Sequence, residues 1–307
     1  MIPTSSTLTA LFFLATVACA TVSANPQTHP QSQAMNDLQV LSSEKMQGRE
    51  PGTAGNRLAQ EYIIERLTQL GLKPCKESFF AEFNYRDKRG ETQVGKNIVA
   101  CQLGKTNQAK AIVVSAHYDH LGARAGKIFF GADDNASGVA AVLAIAASMQ
   151  GKTSAPEHTL VYAFFDGEEI GLLGSNAFVK NETFAKKNIA INLNFDMVAR
   201  GDKNELYASG SYTNPWLKPL LRHLDGTQGI KLIFGHDCPE EGEGDWTNQS
   251  DHYAFFQANI PHLYFGVEDH ADYHKTSDRF EKINPKFFDG AIEILSRAVV
   301  VIDHAIK

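Results

Sequence analysis

KAIVVSAHYDH, residues 110–120, is the stretch on which the fold turns. Its heart, AIVVSA, is apolar but for one serine. A run of that length and composition suits a strand buried on both faces. It ends on Ala116 and passes at once into His117, Tyr118, Asp119 and His120. Three more runs repeat the arrangement. HTLVYAFF (158–165) passes into Asp166, Gly167, Glu168 and Glu169, and AINLNF (190–195) into Asp196. IPHLYF (260–265) leads through Asp269, His270 and Asp272 to His274. In open α/β sheets, ligands bind beyond the carboxyl ends of the strands. Four buried strands ending in His or acid therefore put those groups around one crevice.

Working outward, residues 137–149 are rich in Ala, Val and Leu and predict a buried helix between the first two strands. Residues 284–306 predict a final amphipathic helix, with Asn284 as its N-cap and Pro285 at its first position. Upstream, Leu58, Tyr62, Ile63, Leu67 and Leu70 recur at helical spacing, and Gly71 is placed to end that helix, 54–70. Residues 77–85 and 97–103 read as two strands around a turn at Asp87, Lys88, Arg89 and Gly90. Residues 36–46 read as a short first helix, and 25–35, polar and Gln/Pro-rich, as a linker. The class is α/β, with a mixed, mostly parallel central sheet sandwiched by helices, forming one domain over 36–307.

Residues 1–24 carry no charged side chain, and 11–20 are mostly apolar. That run is shorter than the roughly 20 apolar residues that span a bilayer. Small residues follow it, so 1–24 read as a signal peptide and the protein as exported, periplasmic or secreted. Anchoring as a lipoprotein through Cys19 is the weaker alternative, because Thr16 stands where such signals carry Leu. Beyond the leader lie Cys75, Cys101 and Cys238, an odd number with no C-x-x-C pair, so any metal must be held by His and carboxylates. Lys88 is equidistant from Cys75 and Cys101, so an unbulged hairpin sets them opposite each other and favours a disulfide. Across 307 residues the composition is 43% hydrophobic and 21% charged, with net charge -6. Those values fit a chain with a real core and argue against nucleic acid as partner.

The residue types beyond the strands fit zinc, which takes His nitrogen and carboxylate oxygen. Two adjacent zincs repel unless an anion bridges them, and Asp133 or Asp134 in GADDNASG (131–138) can supply it. Gly131 and Gly138 let the backbone turn there.

SAHYDHLG (115–122), GADDNASGVA (131–140), FFDGEEIGLLGS (164–175), NFDM (194–197), SDHYAFFQANIP (250–261) and YHKTSD (273–278) together resemble the M28 zinc peptidases. The segment from Gly48 to Pro74 is similar to that family's N-terminal part. The resemblance implies a zinc-exopeptidase domain with two zinc ions per chain. His117 and Asp196 would hold one, Glu169 and His274 the other, and Asp134 would bridge them. Glu168 would be the general base, acting on a bridging water whose pKa zinc lowers to about 7. Asp119 is expected to accept the second ring N–H of a ligand His. Tyr273 is expected to donate to the developing oxyanion. Asp251 and Asp278 are supporting acids, and His120, His252 and His270 are structural or rim residues.

The resulting expectation is an aminopeptidase acting on peptides with a free N-terminus, its specificity shaped by residues 201–249. A carboxypeptidase needs a cationic clamp for the terminal carboxylate, and neither Arg200 nor Arg222 sits in a motif declaring that role. A glutaminyl-cyclase-like enzyme on the same fold, using one zinc, is a second alternative. A non-catalytic binding module is the third.

Overall fold

A computed structural model describes Met1 and residues 30–105, 107–180 and 188–306. The strands are β1 (Lys73–Pro74), β2 (Phe80–Arg86), β3 (Thr92–Gln102), β4 (Asn107–His117), β5 (Ala123–Arg124), β6 (Lys127–Ile128), β7 (His158–Phe165), β8 (Ile189–Phe195), β9 (Glu205–Ser209), β10 (Lys231–Phe234) and β11 (His262–Gly266). The main sheet runs β1-β3-β7-β4-β8-β11-β9-β10, with β2 also paired to β3. The four apolar runs become its centre, β7-β4-β8-β11, and every pairing among them is parallel. Antiparallel strands flank them, β3 against β7 and β9 against β11. The sheet is thus mixed with a parallel centre.

The helices are α1 (Pro30–Leu41), α2 (Ala54–Gln69), α3 (Gly138–Gln150), α4 (Leu173–Lys180), α5 (Leu217–Leu221), α6 (His252–Gln257) and α7 (Pro285–Ala305). Strand alternation sends side chains to two cores. Ile112, Val114, Leu160, Tyr162 and Phe164 pack with residues of α1, α2, α3 and α7. Val113, Val161, Ala163 and Phe165 pack with Phe178 of α4 and Phe255 of α6. Because both faces are covered, all eight residues of β7 are buried. In α7, the Asn284 side chain accepts the Phe287 N–H at 3.1 Å, capping the helix where the sequence indicates.

The N-terminal boundaries differ from expectation. The first helix starts at Pro30, so residues 30–35, expected as linker, are helical. It stops at Leu41, and Glu44–Arg49 form a 3-10 turn where helix was expected to run to residue 46. Burial explains the extension, since Ala34, Leu38 and Leu41 all lie in the core. The signal peptide and Cys19 fall, apart from Met1, outside the described residues. No helix among the described residues is long and apolar enough to cross a membrane.

Cys75 and Cys101 form a disulfide with Cα atoms 4.9 Å apart, and Cys238 is a free thiol. The pairing agrees with the sequence reading, but the register behind it does not. β2 and β3 pair from Phe80↔Ile98 to Arg86↔Thr92, so the hairpin centres on Arg89, one residue past Lys88. Continued unbroken, that register faces Cys75 with Leu103. The chain instead leaves the ladder between Pro74 and Phe80, and β1 meets β3 as Lys73↔Cys101 and Pro74↔Ala100. The irregular segment 75–79 absorbs the offset. Removing the cross-link by Cys75→Ser with Cys101→Ser is expected to cost about 3.5 kcal/mol of unfolding free energy, from the entropy of the loop it closes. Urea unfolding of the variant beside the oxidised protein measures it, and equal midpoints would contradict the expectation.

Candidate metal centre

β4 delivers His117 to the carboxyl edge of the sheet, 1% exposed. Its Nδ1 lies 3.2 Å from the Asp119 carbonyl oxygen. Its Nε2 faces Asp196 Oδ1 at 3.3 Å and Asp134 Oδ1 at 3.5 Å. The expected carboxylate partner for Nδ1 is therefore corrected. The Asp119 carboxylate stands 3.8 Å away, too far for a hydrogen bond. It accepts instead the backbone N–H groups of Glu168 at 3.1 Å and Glu169 at 3.3 Å. Gly167, at φ 74°, swings the chain out of β7, and the N–H groups after it have left the ladder and need an acceptor. Asp119 fixes the two glutamates rather than the histidine.

The loop before α3 separates Asp133 from Asp134. Asp133 turns inward, its Oδ1 accepting the Ala199 N–H at 2.8 Å and its Oδ2 lying 3.2 Å from His270 Nε2. Asp134 turns to the crevice, where Oδ1 faces His117 and Oδ2 faces His274 Nε2 at 3.1 Å. One carboxylate thus lies between two imidazoles, one oxygen toward each. The Asp278 carboxylate holds the loop from behind, accepting the Asp133 and Asp134 N–H groups at 3.1 Å. Gly131 has φ 56°, and a Cβ there would collide with the Asp134 carbonyl and the His120 ring. Gly138 has φ -62°, ordinary helix. What it needs is space rather than a turn, because a Cβ would strike Asn135 Oδ1 and the Phe195 carbonyl.

Glu169 Oε2 lies 3.3 Å from His274 Nε2, and its Oε1 lies 2.6 Å from His120 Nδ1. His120, read from sequence as structural or rim, is in the centre of the cluster. The available signal was its spacing of three from His117 at a strand end. Ligand-type atoms gather within 4.8 Å in two groups, His117 with Glu168 and Asp196, and His120 with Asp134 and Glu169. Asp196 is held by a buried polar chain. Ser250 Oγ donates to Asp196 Oδ2 at 2.7 Å and accepts from Asn194 at 2.9 Å. Asn194 Oδ1 accepts from Ser115, which accepts from Asn192, both at 2.8 Å. Tyr273 stacks on His274, ring centroids 3.9 Å apart. Asp251 is fully buried beside the cluster. His252 and His270 point elsewhere, His252 Nε2 lying 3.0 Å from the Trp246 carbonyl oxygen.

The family model for peptidase family M28 matches residues 97–299, more than half of the chain. The chain belongs to peptidase family M28. Leupeptin-inactivating enzyme 1 of Streptomyces exfoliatus is 27% identical over 249 residues, 81% of this chain and 50% of that protein. The probable lipoprotein aminopeptidase LpqL of Mycobacterium tuberculosis is 29% identical over 206 residues, 61% of this chain and 39% of that one. The chain thus spans half the length, or less, of these curated relatives. Among solved structures, BSAP, a zinc aminopeptidase from Bacillus subtilis, superposes with TM-score 0.73 at 17% identity, covering 92% of this chain and 97% of that one. Glutaminyl cyclase from Porphyromonas gingivalis superposes with TM-score 0.69 at 20% identity, covering 88% and 97%. These two likenesses speak to the fold.

In this M28 chain the acids of the centre outnumber the charges that could balance them. Burial opposes a charge on His117, but Asp196, Glu168 and Asp134 outweigh it and raise its pKa well above the ordinary value. Burial raises Glu168 far above the carboxylate range, with Asp251 and Asp196 adding to the effect. Burial also works against the Glu169 carboxylate, yet hydrogen bonds from His120 and His274 hold its pKa low. Hydrogen bonds to Asp134 and Glu169 raise His274 to about 10. Arg49, the buried arginine behind the cluster, turns its guanidinium to backbone carbonyls rather than to these acids. Its Nε donates to the Tyr118 carbonyl at 2.8 Å, Nη1 to those of Leu41 and Phe130 at 2.7 and 2.8 Å, and Nη2 to that of Gly131 at 2.9 Å. Burial lowers its pKa to about 10, against the pull of Asp134 and Asp119. Packed carboxylates and imidazoles of this kind fit divalent cations, and the donor types suit zinc.

Arg49 ties the segment after His117 to the loop that carries Asp134. Arg49→Met strips the carbonyls of Tyr118, Leu41 and Phe130 of their donor and leaves that of Gly131 with the Ala136 N–H alone, and is expected to destabilise the fold by about 4 kcal/mol. Arg49→Lys recovers little, since an ammonium cannot reproduce the planar fork. Urea unfolding tests both variants, and a loss under about 1 kcal/mol for Arg49→Met would refute the clamp.

Proposed function

We propose that the chain is an exported two-zinc aminopeptidase that removes N-terminal residues from peptides, its catalytic unit running from α1 to α7. The observation that carries this reading is a chamber of about 290 Å³ beside the cluster. Asp134, Glu168, Asp196 and Asp269 line it together with Met197, Trp246, Tyr264 and Tyr273, and among the described residues no Lys or Arg does. Acids and aromatics around a small hollow suit a single side chain carrying an α-ammonium group. Among the described residues no lysine or arginine faces the chamber to clamp a terminal carboxylate. Arg200 is engaged by Asp272 at 2.9 Å and lines a different hollow, and Arg222 is absent from the chamber. That disfavours a carboxypeptidase. The expected specificity segment contributes Trp246, Asn248 and Gln249, while Met197, Tyr264 and Val267 come from outside it.

In this reading His117 and Asp196 would hold one zinc, Glu169 and His274 the other, and Asp134 would be shared between them, with His120 orienting Glu169 through its second oxygen. Zinc supplies Lewis acidity, polarising the scissile carbonyl and making water acidic enough to attack near neutrality. The Glu168 carboxylate takes the proton of the attacking water and returns it to the departing amine. Its position against His117 and Asp196 supports that role. Burial keeps the Tyr273 phenol protonated, so it can donate to the carbonyl oxygen as charge develops. The Cys75–Cys101 disulfide supports export, because such bonds persist in oxidising compartments. The mature N-terminus, measured by mass, is expected at residue 21 or 25.

Metal analysis separates this reading from its rivals, with two zincs per chain for the peptidase, one for a cyclase and none for a binding module. Glu168→Gln is expected to lower kcat by 10²–10⁴-fold while keeping both metals. A variant that loses zinc instead would mean that Glu168 is a ligand.

Metal binding should also be proton-linked. In the metal-free chain His274 stays protonated up to about pH 10. A ligand imidazole must be neutral, so zinc displaces its proton and apparent affinity climbs as pH rises toward that value. Calorimetry at pH 8 in two buffers of different ionisation heat is expected to detect at least one proton released. Zinc uptake with no proton release would exclude His274 as a ligand.

A further inference from the structure

Glu169 borders two hollows. One is the acidic chamber. The other, about 790 Å³, continues from His120 and Glu169 along the β2–β3 hairpin, and its size is that of sites enclosing drug-sized ligands. Ile170, next in sequence to Glu169, is 40% exposed and stands at its entrance. Its walls carry Arg86 and Lys88 from the hairpin and Arg124 from the segment after His120. None of these three makes an ion pair among the described residues. A fourth cation, Arg89, is already spent on Asp87 at 3.3 Å and Glu91 at 3.1 Å. Asp87 is in turn occupied by Arg89, Gln93 and two backbone N–H groups. Glu50 is the remaining carboxylate of the walls outside the metal cluster. On a chain of net charge -6 this groove is locally cationic, while the chamber across Glu169 is rich in acids and is lined, among the described residues, by no lysine or arginine.

We infer that this groove receives the part of the peptide downstream of the scissile bond and selects for carboxylates there, through Arg86, Lys88 and Arg124. The inference rests on the aminopeptidase reading. An exopeptidase that removes one residue needs a small chamber on the amino side and a longer path on the other, and the two hollows, about 290 and 790 Å³, divide in that way. Their opposite charges match the polarity of the substrate, ammonium at one end and carboxylate toward the other. The carboxylate comes from Asp or Glu side chains a few residues downstream, or from the free terminus of a short peptide. Ile170 offers an apolar contact to the first residue past the cut.

The test compares zinc-loaded full-chain protein on C-terminally amidated hexapeptides that share their first two residues and carry Glu-Glu, Gln-Gln or Lys-Lys next. A second arm compares a tripeptide acid with its amide. Surface charge pairs are each worth a few-fold at most, so three are expected to favour Glu-Glu over Lys-Lys about tenfold in kcat/KM at low salt. The preference should shrink in 0.5 M salt through screening. Arg86→Glu with Arg124→Glu is expected to bring the ratio to about one or below, whereas Lys152→Glu, outside the groove, should leave it in place. A preference seen only between tripeptide acid and amide would assign the groove to the free terminus. Equal rates across both arms, or a ratio unmoved in the double variant, would overturn the inference. Failure to release the N-terminal residue from any of these peptides would defeat the aminopeptidase reading and this inference with it.

Discussion

Carboxylates packed side by side in a protein interior stay ionised only if cations share the space with them. Asp134, Glu168, Glu169 and Asp196 meet at the carboxyl edge of one parallel sheet, and the buried guanidinium of Arg49 gives four of its five N–H groups to backbone carbonyls. His117 and His274 are left as the local counter-charges, both pulled toward protonation. The centre is therefore electrostatically incomplete by itself. Divalent cations bring the charge that its histidines otherwise gather as protons.

Much of the surrounding structure immobilises this charge cluster through backbone contacts. Asp119 gathers the N–H groups of the paired glutamates. Asp278 gathers those of Asp133 and Asp134, and Asp133 that of Ala199. Three buried acids that look like ligands in sequence thus act as acceptors for loops that have left the sheet. Arg49 does the converse, supplying donors to four carbonyls. Each of these loops departs from regular structure to aim a side chain, which strands its backbone groups, and each is answered by one charged residue.

That division explains what could be read from sequence. The four apolar runs and the His or acids that follow them were legible because burial on both faces leaves a local signature, and the geometry of a parallel sheet converts local strand ends into a shared edge. Helices α2, α3 and α7 followed from periodicity, from an Ala/Val/Leu-rich run and from Asn284, whereas the short α4, α5 and α6 were not read. The partner of Asp119 was not legible. A carboxylate two residues from a histidine can serve the ring or the neighbouring loop, and the choice depends on Gly167 turning the chain beneath it. His120 was missed because a histidine at a strand end carries no local mark of the side it faces. The hairpin register failed by a single residue, and the irregular segment 75–79 compensated, so a sound pairing emerged from an unsound alignment.

The disulfide has a mechanical consequence. β2 and β3 form a projecting ribbon whose root is clamped twice, by the ladder from β3 to β7 and by the Cys75–Cys101 cross-link. Among the described residues its tip, Asp87 to Gly90, is held by contacts within the hairpin, such as the Gly90 N–H to the Asp87 carbonyl and the pairs of Arg89 with Asp87 and Glu91. The ribbon is a cantilever, stiff where it joins the catalytic sheet and compliant at its free end. Deflection grows with distance from the root, so the tip can swing toward or away from Arg124 with little displacement of His117 or Glu169. The wide hollow can therefore adjust its breadth to different occupants while the metal-binding edge keeps its dimensions.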